Sequence, residues 1–143
     1  MSKFLTRLGG DWMDDDRRFV LARDLIYQSD LLGKLGYGVK IEGLTMVGLI
    51  EVPKGFVTDF ASVPRVPVIY TMFGDRAHHE SVVHDYLYQT NLVPRGVADK
   101  VFREAMVAQG KSKFISQGMY LGVVLGGRSS YKTGPSRYQV LNG

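Results

Sequence analysis

All three histidines of the chain, His78, His79 and His84, lie with Glu80 and Asp85 inside the eight residues HHESVVHD. An imidazole among carboxylates supports two chemistries. It can ligate a divalent metal together with oxygen donors, or, held by an acid, act as a general base. On a helix His84 follows Glu80 by one turn, whereas Asp85 is rotated by about 100° from His84. His84 and Asp85 therefore serve one centre only where the pair straddles a groove between helices or sits at a bend. Two acids elsewhere are placed to complete such a centre. Asp59, within GFVTDFASVPR (55–65), ends a strand and opens a loop, and Asp99 falls in the first turn of a helix, away from its strongest apolar positions. His84, Asp85, Asp59 and Asp99 form a donor set that suits zinc, manganese or magnesium. Without metal, Asp59 or Asp85 orients His84 as a base, with Ser62 as a polar helper.

The same residues have architectural roles open to them. Asp59 can cap the turn that follows it or pair with Arg65, and His84 can be a core histidine bonded to a backbone carbonyl. Asp99 can favour a helix N-terminus and pair with Arg95 or Arg103. His78 and His79 read as exposed residues at a helix start, and Tyr86 and Tyr88 as half-buried packing. Other catalytic signatures are absent from the sequence: there is no GxSxG elbow, no HExxH and no GxxxxGK[ST] loop. With no cysteine, thiolate metal sites, disulfides and a cysteine nucleophile are excluded.

The elements that must position these groups divide the chain in two. Before residue 53 the pattern is short and strand-like. FVLARDLIYQ (19–28) is rich in strand formers, YGVKIEG (37–43) alternates, and LTMVGLIEVP (44–53) runs on until Pro53 stops it; the intervening glycines read as turns or bulges. After residue 74 the period becomes helical. One helix is expected over 76–89. A second is opened by Pro94 and ended near Gly110, with Val97, Ala98, Val101, Phe102, Ala105 and Met106 in one stripe. Ser112 is placed to cap a third, KFISQGMYLGVVLGG, apolar nearly all round, whose Gly118, Gly122 and Gly126 form a smooth ridge suited to close helix packing. The polar, turn-rich tail over 127–143 is expected to be mobile.

At 143 residues, 45% of them hydrophobic and 22% charged, the chain is expected to be one globular domain, 1–143. No apolar run reaches the roughly 18 residues of a membrane span, so a soluble protein made in the cytoplasm is expected. The net charge of +4 is uneven: 10 basic and 12 acidic side chains precede residue 91, and 8 basic and 2 acidic follow. The basic C-terminal third is a candidate face for an anionic surface, either nucleic acid or cell wall.

The order VPKGFVTDFASVPR (52–65), VVHDYLY (82–88) and ADKVFREAM (98–106) resembles domain-of-unknown-function family 1353, small proteins of phages and prophages, over roughly residues 17–125. The matched positions are Gly55, Thr58, Asp59, Ser62, Pro64 and Arg65, then His84, Asp85 and Tyr88, then Asp99. The resemblance implies a bacteriophage origin, host cytoplasm as the place of synthesis and the virion as the destination if packaged. The expected fold is α+β: a small antiparallel sheet from the N-terminal half packed against three C-terminal helices, with the TDFASVP loop bringing Asp59 near His84 and Asp85. Two functions are expected. One is a virion-associated head, tail or baseplate component that contacts other phage structural proteins. The other is a small hydrolase, metal-dependent or not, acting on cell-envelope peptide or glycan bonds.

Overall fold

The computed structural model describes residues 1–13, 18–41, 44–58, 78–126 and 139–140. Its architecture is α+β, with small antiparallel sheets from the N-terminal half and three long helices from the C-terminal half. The strands are β1 (Lys3–Phe4), β2 (Gly10–Trp12), β3 (Phe19–Leu21), β4 (Leu25–Gln28), β5 (Tyr37–Ile41), β6 (Leu44–Val47), β7 (Leu49–Val52), β8 (Val57–Thr58) and β9 (Gln139–Val140). Four helices are described: α1 (Asp30–Leu35), α2 (His78–Thr90), α3 (Arg95–Ala108) and α4 (Lys113–Gly126).

The strands form three three-stranded sheets, ordered β1-β4-β7, β2-β3-β8 and β6-β5-β9. Alternation does the sorting in the first of them. Leu25 and Tyr27 of β4 face Val52 and Ile50 of β7 across the ladder, and all four are buried, while Ile26 and Gln28 turn outward. The run over 19–28 is not one strand but two, β3 and β4, which belong to different sheets. β9, in the tail expected to be free, pairs antiparallel with β5.

Helix α1 was hidden among residues that read as turns. Ser29 accepts a hydrogen bond from Leu32 N at 3.1 Å, and Gly36, at φ 78°, closes the other end in the left-handed region. Gly48 (φ 84°) marks the break between β6 and β7. Its carbonyl accepts from Ser29 N at 2.7 Å, and a Cβ there would stand 2.9 Å from the Ser29 carbonyl oxygen. Only glycine meets both conditions without strain.

The buried faces of β4 and β7 pack against α2 and α3 in one core that includes Leu25, Tyr27, Ile50, Val82, Val83, Leu87, Ala98, Val101 and Ala105. Phe102 and Met106 of α3 and Met119 and Val123 of α4 make a second cluster. Ser112 does cap α4, accepting from Ile115 N at 3.1 Å. The glycine ridge does not face this interface: Gly118 and Gly126 are exposed, and a Cβ on Gly118 would meet nothing within 4 Å. Met119 and Val123, one turn apart, make the contact instead. The far side of α4 carries Phe114, Leu121 and Leu125 at 80%, 48% and 83% exposure, so the helix is half buried and not enclosed.

Candidate functional site

Helix α2 decides the surroundings of the histidines. Glu80, Ser81, Val82, Val83, His84, Asp85, Leu87 and Tyr88 are all buried, on every side of the helix. A helix enclosed in this way cannot turn its polar residues to water, so each must find a partner inside the protein.

His84 finds it on α3. Its Nε2 lies 2.8 Å from Asp99 Oδ1, and the Tyr88 hydroxyl donates to the same oxygen at 2.5 Å. An ionised carboxylate only accepts, so His84 presents Nε2–H to it. Burial holds the His84 pKa below its ordinary value of 6.5, against the opposing pull of Asp99. The imidazole is therefore neutral near neutral pH. Burial also pushes the Tyr88 phenol well above its usual range, with the bond to Asp99 acting in the same direction. The rings of His84 and Tyr88 lie 4.1 Å apart, and Phe102 covers His84 at 4.9 Å.

Arg95, at the start of α3, ties this group to α4. Its Nε donates to the Tyr88 hydroxyl at 3.2 Å and lies 4.0 Å from Asp99 Oδ2, while Nη2 donates to the carbonyls of Val123 and Val124 at 3.1 and 2.6 Å. Those carbonyls belong to the last turn of α4, where no helical N–H remains to satisfy them. The guanidinium thus serves as a cap supplied by another helix.

Asp85 faces the other way. Its Oδ2 accepts from Thr58 Oγ1 at 2.5 Å and from Gln89 Nε2 at 2.9 Å, which joins α2 to β8. At the start of α2, buried Glu80 pairs with Lys111 at 2.7 Å, and His79 Nε2 accepts from Leu8 N at 3.0 Å. His79 is therefore a structural acceptor and not a free residue at a helix start.

Three of the sequence candidates, His84, Asp85 and Asp99, come together, but not around one point. His84 and Asp99 meet between α2 and α3, and Asp85 meets Thr58 on the other side. Asp59 and Ser62 lie outside the described residues, although Thr58 places the chain beside Asp85 one residue earlier. Asp99 is not in the first turn of its helix but in the second, and it faces inward. No group of three or more His, Cys, Asp and Glu side chains suited to a metal is gathered among the described residues. Tyr88, expected as half-buried packing, is a fully buried hydrogen-bond donor. The expected pairing of Asp99 with Arg95 is present at 4.0 Å, and the guanidinium also reaches across to α4. The spacing of Tyr88 one turn after His84, and of Asp99 one turn after Arg95, was the available signal.

Residues 37–123 match the family model described as protein of unknown function (DUF1353). The chain belongs to this family. The match begins at β5, later than the expected start near 17, and takes in α2, α3 and α4 as far as Val123, and with them His84, Asp85, Tyr88, Arg95 and Asp99. No curated protein and no solved structure matched the chain. Among the described residues no helix is long and apolar enough to cross a membrane.

Proposed function

We propose that the protein is a non-enzymatic component of a bacteriophage particle, a minor head, tail or baseplate subunit, in which the family's polar residues set the fold. The observation that carries the non-enzymatic reading is the closure of the His84–Asp99–Tyr88–Arg95 group. His84, Tyr88 and Asp99 are at most 2% exposed, and they are hydrogen-bonded to one another. A general base must reach a substrate proton, and a metal ligand must offer a lone pair to the metal. His84 spends Nε2–H on Asp99, so the Nδ1 lone pair is what it could offer to either role, and at 0% exposure that nitrogen is closed to solvent. Exposed Phe114, Leu121 and Leu125 on α4 give an apolar face to neighbouring subunits, and the basic C-terminal third an electrostatic one. The particle role rests on the resemblance to phage proteins. Mass spectrometry of purified particles from the phage or prophage that encodes the chain tests it. The chain should be present in fixed ratio to the main structural proteins, and its absence overturns the reading.

The hydrolase reading has one observation in its favour: an acid 2.8 Å from an imidazole is the arrangement that orients a general base. It requires a metal or a substrate to reach the buried His84. Elemental analysis of the purified protein, compared with Asp59→Ala and His84→Ala, decides it. Stoichiometric metal lost in both variants, with folding retained, would establish a metal centre.

A further inference from the structure

A cleft of about 720 Å³ opens between α1, α3 and α4, on a different face of α3 from Asp99. Its volume falls in the range of roughly 300–1,000 Å³ that small-molecule sites occupy. Four cations line it: Lys34 of α1, Lys100 and Arg103 of α3, and Lys113 of α4. On α3 the spacing of Lys100, Arg103 and Val107 puts one side of the helix on the cleft.

The two carboxylates in the wall do not neutralise these cations in pairs. Glu104 is saturated by three donors, the Tyr27 hydroxyl at 2.8 Å, Ser29 Oγ at 2.6 Å and Leu31 N at 2.8 Å. Asp30 is paired with the Met1 amine at 3.1 Å. Lys34, Lys100 and Lys113 have no ion-pair or hydrogen-bond partner among the described residues. Arg103 is held in place: its guanidinium lies 4.4 Å over the Tyr120 ring and donates to Gln117 Oε1 at 3.2 Å.

Ser116 belongs to the wall as well, but at 1% exposure its Oγ lies beneath the surface that a ligand would touch. Leu31 and Val107 add an apolar surface beside the charges. Unpaired ammonium groups, a fixed guanidinium and an apolar wall are together the requirements of one ligand class.

We propose that this cleft binds a small organic phosphate, with the lysines and Arg103 on the phosphate and the body of the molecule on the apolar wall. Calorimetric titration with adenosine 5′-monophosphate, inorganic pyrophosphate, neutral adenosine and a short single-stranded oligonucleotide tests it. The two phosphates should bind saturably with Kd below about 1 mM, and adenosine should not. Lys100→Gln combined with Lys113→Gln, both at exposed positions, should weaken adenosine monophosphate by about tenfold or more. The absence of saturable phosphate binding, or unchanged affinity in the double lysine variant, overturns the proposal. Much tighter binding of the oligonucleotide than of the mononucleotide overturns it too, in favour of a nucleic-acid surface.

Discussion

Asp99 accepts two buried donors through one oxygen, so removing its carboxylate leaves an imidazole N–H and a phenol unpaired where water does not reach. Asp99→Ala should therefore lower unfolding stability in urea by about 3–5 kcal/mol. Tyr88→Phe deletes one donor and leaves His84 bonded, so its cost should be about 1–2 kcal/mol. Were this group catalytic, conservative changes would remove an activity while stability held; in the reading adopted here stability falls first. The histidine adds a pH signature. Its folded pKa lies below the unfolded value of 6.5, so between the two the unfolded chain binds more protons than the folded one. The contribution of neutral His84 is thus fully present above about pH 6.5 and is lost as the pH falls through the folded pKa. His84→Gln places an amide N–H near the position of Nε2 but does not titrate. Its melting temperature should fall less steeply than that of the wild type on acidification below pH 6.5, and identical slopes would refute the assignment.

At the scale of elements, what holds α4 is as much polar as apolar. Only one side of the helix is buried, through Ser116, Met119 and Val123, and its last carbonyls depend on Arg95. Arg95→Met keeps the packing of the side-chain stem and removes the donors. Amide exchange in the last turn of α4 should accelerate well beyond that of α2, with a global cost of about 1–2 kcal/mol. Glu104 plays the corresponding part at α1, where Glu104→Gln should cost about 1.5–3 kcal/mol because three donors converge on its carboxylate. These elements were unequally legible in the sequence. The stripe of α3 is periodic, and its burial followed from period alone. The motif HDYLY named residues of the polar group, but nothing local says that α2 is enclosed on all sides, because that depends on which elements cover it. Strands of two or three residues, such as β1 and β2, are too short to carry a period, and α1 was masked by Gly33 and Gly36. Arg95 and Glu104 act across 28–29 and 73–77 residues, a distance that no spacing rule spans.

For the whole molecule, the core and the family do not share both borders. Leu21, Leu25, Tyr27 and Leu32 precede the matched residues yet sit in the same core as Val82 and Ala105, so the N-terminal strands belong to the folding unit. At the other end the two agree: Val123 is the last residue of the described core and the last of the match. The residues beyond it carry the basic Arg128, Lys132 and Arg137, and among the described ones β9 pairs with β5. A chain ending after Gly126 should therefore keep its helices and a cooperative unfolding transition, losing no more than about 3 kcal/mol with the short β9 ladder. Under the proposed particle role, the same truncation should weaken incorporation, because it removes Arg128, Lys132 and Arg137, three of the eight basic residues of the C-terminal third, while sparing the fold. Circular dichroism and urea unfolding read the first half, and mass spectrometry of particles grown with the truncated gene reads the second. A truncated chain that folds and is packaged as fully as the intact one would move the contact away from the tail, onto the exposed apolar face of α4. Loss of the cooperative transition would mean that residues beyond 126 are part of the folding unit itself.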